Sequence, residues 1–105
     1  MLDGALTAEF DQAMFSIYQR ALLEANYKAT RFLHMLHEHG GLQTAIILIR
    51  SPNISEGYAA LWERRRLDLT VEAVIYDNPK WHQLFDKNDL AICAKRLKAY
   101  DYPGA

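Results

Sequence analysis

The sequence has a single cysteine, Cys93, among its 105 residues. One thiol cannot form an intramolecular disulfide, and a free thiol is typical of proteins from a reducing compartment. No apolar run of about 18 residues is present to cross a membrane. The segment Met1-Leu2-Asp3-Gly4 lacks the basic start and the apolar stretch of a signal peptide. We therefore expect a cytoplasmic protein that is neither exported nor inserted into a membrane.

A strong charge of one sign is also missing, because 12 Lys and Arg residues offset 13 Asp and Glu residues. This balance excludes a polybasic nucleic-acid arm and a disordered acidic tail. Half of the residues are apolar, and a chain of this length buries roughly 65% of its unfolded surface, enough for a core without metal or disulfide support. With no repeat or linker, the composition predicts one globular domain over residues 1–105.

Glycine and proline are absent from residues 6–38, so this segment is free to form long helices. Apolar residues recur there at helical spacing, and we predict a first helix from about Thr7, its N-cap, to Ala25. Asn26 tolerates the left-handed conformation that ends helices. A second helix should then run to about His39, where Gly40-Gly41 stops it. The apolar residues that define the two helical faces are Phe10, Ala13, Met14, Ile17, Ala21 and Leu22, and then Ala29, Phe32, Leu33 and Leu36.

Residues 44–49 form a short β-branched apolar run that fits either a buried strand or a buried helix. Residues 67–75 alternate between apolar and polar side chains, so a two-stranded element made of these two segments is an alternative α+β interpretation. Leu42, Ala45 and Ile49 also share one helical face, and Thr70 followed by Glu72 is typical of a helix start. These features favour helices in both segments.

Further helix signals fill the second half of the chain. Ser55 is a candidate cap for a helix that carries Tyr58 and Trp62, and a short segment follows at Trp81–Phe85. Asp86 and Asp89 resemble a capping box that opens a last helix, which ends at about Tyr100 and buries Leu90, Cys93, Ala94 and Leu97. Residues 102–105 are predicted to fray. The predicted fold is therefore a compact all-α domain of five or six short helices.

A histidine cluster raises the question of a metal site. His34, His37 and His39 lie beside Glu38 within one predicted helix, but His37 and His39 point roughly 160° apart. Only His34 with His37, or His34 with Glu38, shares a face, and a site would need further ligands such as His82. We predict no metal site and no cofactor.

Catalytic motifs are missing as well. The chain has no Gly-rich phosphate loop, no Gly-x-Ser-x-Gly elbow and no Cys-x-x-Cys pair. Cys93 lies on an apolar helical face, where a thiol is inert. Glu63, Asp68 and Glu72 supply carboxylates for acid and base chemistry only if a cleft holds them at a working distance. The residues therefore favour a non-enzymatic role.

Arg64-Arg65-Arg66 after Trp62 suggests a nucleic-acid surface, because Arg pairs with phosphate and an aromatic ring stacks on bases. Together with Lys95, Arg96 and Lys98 of the last helix, these residues define an alternative function as a nucleic-acid-binding regulator. Nearby carboxylates offset the triple Arg, and one or two of these side chains could instead pair with Glu63, Asp68 or Glu72 and pin the turn.

The chain has more aromatic and aliphatic side chains than one buried face per helix can accommodate, so we expect some of them on the surface. They are Ile47, Leu48, Tyr58, Trp62, Tyr76 and Trp81. Exposed aromatic residues beside Arg are typical anchors of protein interfaces. We therefore predict a partner-binding surface formed by Tyr58, Trp62, Glu63, Arg66 and Trp81. The alternative is that these rings complete one core.

Two blocks of the sequence, Leu61-Trp62-Glu63 and Arg66-Leu67-Asp68-Leu69-Thr70-Val71-Glu72, resemble a group of small uncharacterised bacterial proteins. The resemblance extends over about the last four fifths of the chain and includes Thr30-Arg31-Phe32-Leu33, Gly40-Gly41 and Ala94-Lys95-Arg96-Leu97. Those proteins usually have Gly in place of Arg65. The resemblance implies a bacterial cytosolic helical domain and marks Trp62, Glu63, Arg66, Asp68 and Glu72, whether for the fold or for a partner.

Taken together, these features predict a non-enzymatic interaction or accessory module of a bacterial cytosolic system. Its partner is expected to be another protein or a second copy of the chain, and nucleic acid is the alternative partner.

Overall fold

A computed structural model describes residues 4–105. The signal-peptide prediction rests on Met1, Leu2 and Asp3, which lie outside the described residues. Helix α1 spans Gly4–Ala25 and already includes Thr7, so the prediction that Thr7 caps this helix is wrong. One face of α1 is buried, because its apolar residues recur every three or four positions. The buried residues of α1 are Leu6, Phe10, Met14, Ile17 and Ala21.

Helix α1 ends at Asn26, which has φ of 52° as expected for a residue in the left-handed region. Helix α2 spans Thr30–Arg50 and is broken by a kink at Gly40, where φ is 78° and ψ is 171°. The glycine pair therefore interrupts the helix at the predicted place. The prediction that Gly40-Gly41 stops the second helix at about His39 is confirmed, and a further helical segment begins immediately after Gly40.

Asp11 of α1 explains why the helix can restart. Its Oδ1 accepts a hydrogen bond from the backbone N–H of Gly41 at 2.5 Å, so a carboxylate from another helix caps the second half of α2. A Cβ at Gly41 would lie 2.7 Å from Asp11 Cα. Only glycine at position 41 permits this approach of the two backbones.

The two-stranded alternative is wrong for the described part of the chain, which contains no strand. Residues 44–49 belong to α2, and Thr44, Ala45 and Ile49 are buried on its inner face. The alternating segment 67–75 divides into a 3-10 turn, Leu67–Leu69, and the start of helix α4, Val71–Asp77. Thr70 separates the two, because its side chain accepts a hydrogen bond from Ala73 N and caps α4.

The other predicted caps are confirmed. Helix α3, Glu56–Glu63, is capped by Ser55, and helix α5, Lys87–Ala99, opens on the Asp86 and Asp89 capping box. A 3-10 segment, Pro79–Leu84, joins α4 to α5. The prediction of an all-α fold with five or six helices is thus confirmed.

The main core lies between α1, α2 and the second half of the chain. Trp81 and Phe85 pack edge-to-face against Phe10 of α1, with ring centroids 5.2 and 5.5 Å apart. A smaller cluster joins α3, α4 and α5 through Tyr58, Ala73 and Leu97. None of the helices described here is long and apolar enough to span a membrane.

Candidate functional site

Trp62 lies in the last turn of α3 and is the most exposed aromatic candidate among the predicted partner-binding residues. Its side chain is 48% exposed, yet it packs edge-to-face on Tyr100 with ring centroids 5.4 Å apart. Tyr100 in turn packs on the buried ring of Tyr58, at 5.3 Å. A row of three aromatic rings therefore connects the core to the surface and restricts the indole of Trp62. An exposed aromatic ring that packs against a neighbouring ring is well suited to anchor a partner.

A notch of about 490 Å³ lies beside this indole. One wall consists of Trp62, Arg65, Leu67 and Asp68, and the other consists of residues 100–103. We call this surface the Trp62 notch. It combines an aromatic and aliphatic floor with charged groups at its edge, which is the usual anatomy of a small protein interface.

The second wall exists because the C-terminal segment is ordered, so the prediction that residues 102–105 fray is wrong. Tyr102 N donates to Leu97 O at 2.9 Å, and the Tyr102 hydroxyl donates to the Asp77 carboxylate. The Tyr76 hydroxyl donates to Gly104 O at 2.9 Å. Sequence reasoning missed Tyr100 and Tyr102 as site residues. The available signal was the pair of aromatic residues directly after the last helix.

Tyr58 and Trp81 do not belong to this surface, so their predicted role as surface anchors is wrong. Tyr58 is 1% exposed and Trp81 is 6% exposed. Tyr58 is enclosed by α4 and α5, and Trp81 by Phe10 and the rest of the main core. Both rings therefore complete the core, which was the alternative interpretation for these two residues.

The two charged members of the predicted surface differ from each other. Glu63 is exposed, whereas Arg66 is largely covered. The Arg66 guanidinium donates to both carboxylate oxygens of Asp68 at 3.0 Å and to Glu24 at 2.8 Å. The bidentate pair with Asp68 stabilises the turn between α3 and the 3-10 segment. This agrees with the alternative interpretation of the triple Arg, in which one of its side chains pairs with a nearby carboxylate.

Arg64 and Arg65 flank the same turn with different surroundings. Arg64 donates to the carbonyl oxygens of Ala25 and Ala60 and lies over the ring of Tyr27, 5.0 Å from its centroid. Arg65 has φ of 58°, the left-handed region that glycine adopts at lower cost. Its side chain lines the Trp62 notch. Arg64 thus ties α3 to the end of α1, and Arg65 is the arginine of the three that remains available at the notch.

Arg96 is buried together with Glu72, with side chains 12% and 3% exposed and a distance of 2.9 Å between Nη1 and Oε2. Arg96 also donates to Leu48 O at 3.2 Å and to Ser51 O at 2.6 Å, so it satisfies carbonyls at the end of α2. Burial raises the pKa of the Glu72 carboxyl, and the hydrogen bond from Arg96 opposes this effect. The pair joins α2, α4 and α5 and is therefore part of the interior.

The six residues predicted for nucleic-acid binding thus fall into two groups, three that bind other groups of the protein and three that do not. The guanidinium groups of Arg64, Arg66 and Arg96 donate hydrogen bonds to carbonyl or carboxylate oxygens of the protein itself. Within residues 4–105, the side chains of the other three form no hydrogen bond or ion pair with the protein. These three are Arg65, Lys95 and Lys98.

No group of three His, Cys, Asp or Glu side chains in residues 4–105 is placed to hold a metal ion. His37 packs edge-to-face on Phe15, and His82 Nε2 lies 3.0 Å from Ile75 O. Cys93 is 1% exposed, and burial raises the pKa of its thiol to about 12. Glu63 and Asp68 do not join Glu72 in a cleft, since Glu72 is buried with Arg96 and Asp68 is paired with Arg66.

A second, larger concavity was not anticipated from the sequence. It has a volume of about 720 Å³ and lies between α1, residues 27–29, α2, the 51–55 turn, α3 and residues 69–72. We call it the interhelical groove. Because the lining residues come from many separate segments, no continuous sequence motif indicates the groove. The apolar faces of α1 and α2 each contribute to its wall. No residue lines both the groove and the Trp62 notch.

Comparisons with protein-family models, with curated proteins and with solved structures give no match. The chemistry of the notch and of the groove must therefore be argued from this chain alone.

Proposed function

We propose that this chain is a non-enzymatic protein-interaction module of the bacterial cytoplasm and that its Trp62 notch binds the partner. The observation that carries the proposal is the indole of Trp62, which is half exposed while Tyr100 holds it in place. Restricting a large aromatic side chain before binding reduces the entropy lost on association. Trp is also among the residues that most often dominate the energy of an interface.

The arrangement of cations favours this function over nucleic-acid binding. Arg64, Arg66 and Arg96 are engaged within the protein, and the net charge of the chain is −1. Nonspecific binding to nucleic acid depends on several free cations that replace counterions along the phosphate backbone. Arg65, Lys95 and Lys98 are the three of the six predicted nucleic-acid-binding residues that have no partner within residues 4–105.

The decisive experiment compares the unchanged protein with Trp62→Ala as immobilised bait in an extract of the native host. A partner that occupies the notch should be captured by the unchanged protein and lose at least about tenfold in affinity with the variant. Circular dichroism and the melting temperature should stay nearly unchanged, because the indole lies at the surface. Leu23→Ala is the matched control, since Leu23 is 83% exposed and does not line the notch.

Equal capture by Trp62→Ala and by the unchanged protein would contradict the proposal. If the variant does lose the partner, sedimentation of the purified chain identifies the kind of partner. A concentration-dependent dimer that is lost in Trp62→Ala means that the partner is a second copy of the chain. A monomer that captures a different chain means a separate protein.

Nucleic acid is tested directly by fluorescence anisotropy with labelled single-stranded and duplex DNA and RNA at low and moderate salt. We expect no change in the anisotropy of the labelled nucleic acids when the protein is added. Micromolar binding that weakens with salt and disappears when Arg65, Lys95 and Lys98 are replaced by Ala would support the regulator instead.

A further inference from the structure

We propose that the interhelical groove binds one amphipathic small molecule, an acyl chain that ends in a carboxylate, with the chain along the apolar wall and the carboxylate beside Lys28 and Arg31. This inference concerns a different surface from the Trp62 notch and does not depend on the proposed protein partner. The groove is larger than the Trp62 notch, at about 720 Å³ against about 490 Å³.

The size and wall of the groove fit such a molecule. Its volume of about 720 Å³ lies within the range of small-molecule sites, roughly 300–1,000 Å³. Phe32 and Met35 of α2 line one side, and Ile47 and Leu48 from beyond the kink continue the apolar wall. Ile47 is 37% exposed, so part of this apolar wall is in contact with solvent. Covering these side chains with an acyl chain would remove apolar surface from water.

The charge at the edge of the groove selects the head group. Lys28 and Arg31 are exposed residues that line it, and within residues 4–105 neither forms an ion pair. They lie on either side of the first residue of α2, a helix with no side-chain cap and no acidic residue in its first turn. The positive end of the helix dipole therefore adds to the two side-chain charges at this point. An anionic group gains from all three sources.

The carboxylates near the groove do not cancel this field. Glu56 is the exposed acidic residue in the lining, and it leaves a net positive edge against Lys28 and Arg31. Glu72 also contributes to the lining, but its carboxylate is paired with Arg96. The groove therefore opposes a cationic head group and favours an anionic one.

An independent observation marks the floor of the groove as a site. Tyr58 lines it, is 1% exposed, and has a hydroxyl that makes no hydrogen bond. Nearly all buried hydroxyl groups in proteins are paired, and the exceptions are frequently found at functional sites. We assign the head group to the edge of the groove, where Lys28 and Arg31 supply two positive charges, and not to the floor, where Tyr58 supplies one uncharged hydroxyl.

The test is a calorimetric titration of the full chain with decanoate and with decyltrimethylammonium, two probes with similar tails and opposite head groups, each below its micellar concentration. We expect one saturable site for decanoate and an affinity at least about tenfold weaker for the cationic probe. The double variant Lys28→Glu with Arg31→Glu should weaken decanoate binding by at least about tenfold. Both side chains are exposed, so the fold should persist, and circular dichroism checks this.

Three further variants locate the site. Lys95→Glu with Lys98→Glu makes the same change in net charge on α5 and should leave decanoate affinity unchanged. Trp62→Ala should also leave it unchanged, which separates this proposal from the function of the notch. Ile47→Asp places a negative charge in the apolar wall and should weaken the binding of decanoate.

The proposal is overturned by the absence of saturable decanoate binding, by equal affinity for the two probes, or by decanoate binding that is insensitive to charge reversal at Lys28 and Arg31. Sedimentation with phosphatidylglycerol vesicles supplies a further outcome. Binding to these vesicles without binding to free decanoate would assign the cations to a membrane surface and overturn the small-molecule site.

Discussion

The two tryptophans have opposite surroundings although the sequence presents them in similar terms. Trp81 follows a proline-containing turn and packs into the main core against Phe10, whereas Trp62 ends α3 and leaves half of its indole in solvent. The two charged pairs repeat this contrast, since Glu72 and Arg96 are buried while Asp68 and Arg66 lie near the surface. Position relative to the core, and not residue type, decides which aromatic or arginine is free for a partner.

Replacing each tryptophan separately tests this contrast, and we expect the largest change in stability from Trp81. Trp81→Ala should lower the free energy of unfolding by about 3–5 kcal/mol, because it removes a buried ring and leaves a cavity beside Phe10. Trp62→Ala should lower it by less than about 1 kcal/mol. Urea denaturation followed by circular dichroism measures both values. Equal losses in the two variants would mean that Trp62 also supports the core.

The buried ion pair should show the next largest effect. Arg96→Met should cost about 3 kcal/mol, because it leaves the Glu72 carboxylate buried without its partner and frees the carbonyls of Leu48 and Ser51. Adding Glu72→Leu should recover part of this loss, since two apolar side chains leave no unpaired buried charge. Urea denaturation of the single and double variants measures the recovery. A double variant less stable than Arg96→Met would contradict this explanation.

The partly exposed pair of Arg66 and Asp68 should show the smallest effect. Arg66→Ala should cost less than about 1 kcal/mol, and the loss should shrink further at high salt. The pKa of Glu24 is the sharper measure. Hydrogen bonds from Arg20 and then from Arg66 lower it from its ordinary value of 4.5 to about 2. Without Arg66 it should rise but stay below 4.5, because Arg20 remains 2.8 Å away.

The sign of the associated pH dependence follows from this lowered pKa. The folded state holds the Glu24 proton less tightly than the unfolded chain, so its contribution to stability is present above pH 4.5 and is lost as the pH falls towards 2. An NMR titration of the Glu24 side chain measures the midpoint. A midpoint that is the same in the unchanged protein and in Arg66→Ala would rule out the contact between these residues.

Local features of this fold were predictable and tertiary ones were not. Ser55, Thr70 and the Asp86–Asp89 box act within three residues of their own position, so their spacing alone identifies the helix starts. Apolar periodicity shows that Tyr58 lies on a helical face but not which element covers that face. The Arg96 partners are 24 to 48 residues away in the sequence. The interhelical groove likewise exists only after several segments meet.

The kink at Gly40 also has a consequence for how the molecule folds. The second half of α2 begins on the Asp11 carboxylate, which belongs to a helix 30 residues earlier in the chain. This half therefore lacks its cap until α1 has docked, and α1 cannot dock closely unless position 41 is glycine. We therefore expect the two helices to fold as one cooperative unit, in which the amide protons of residues 41–50 become protected from solvent exchange together with those of α1.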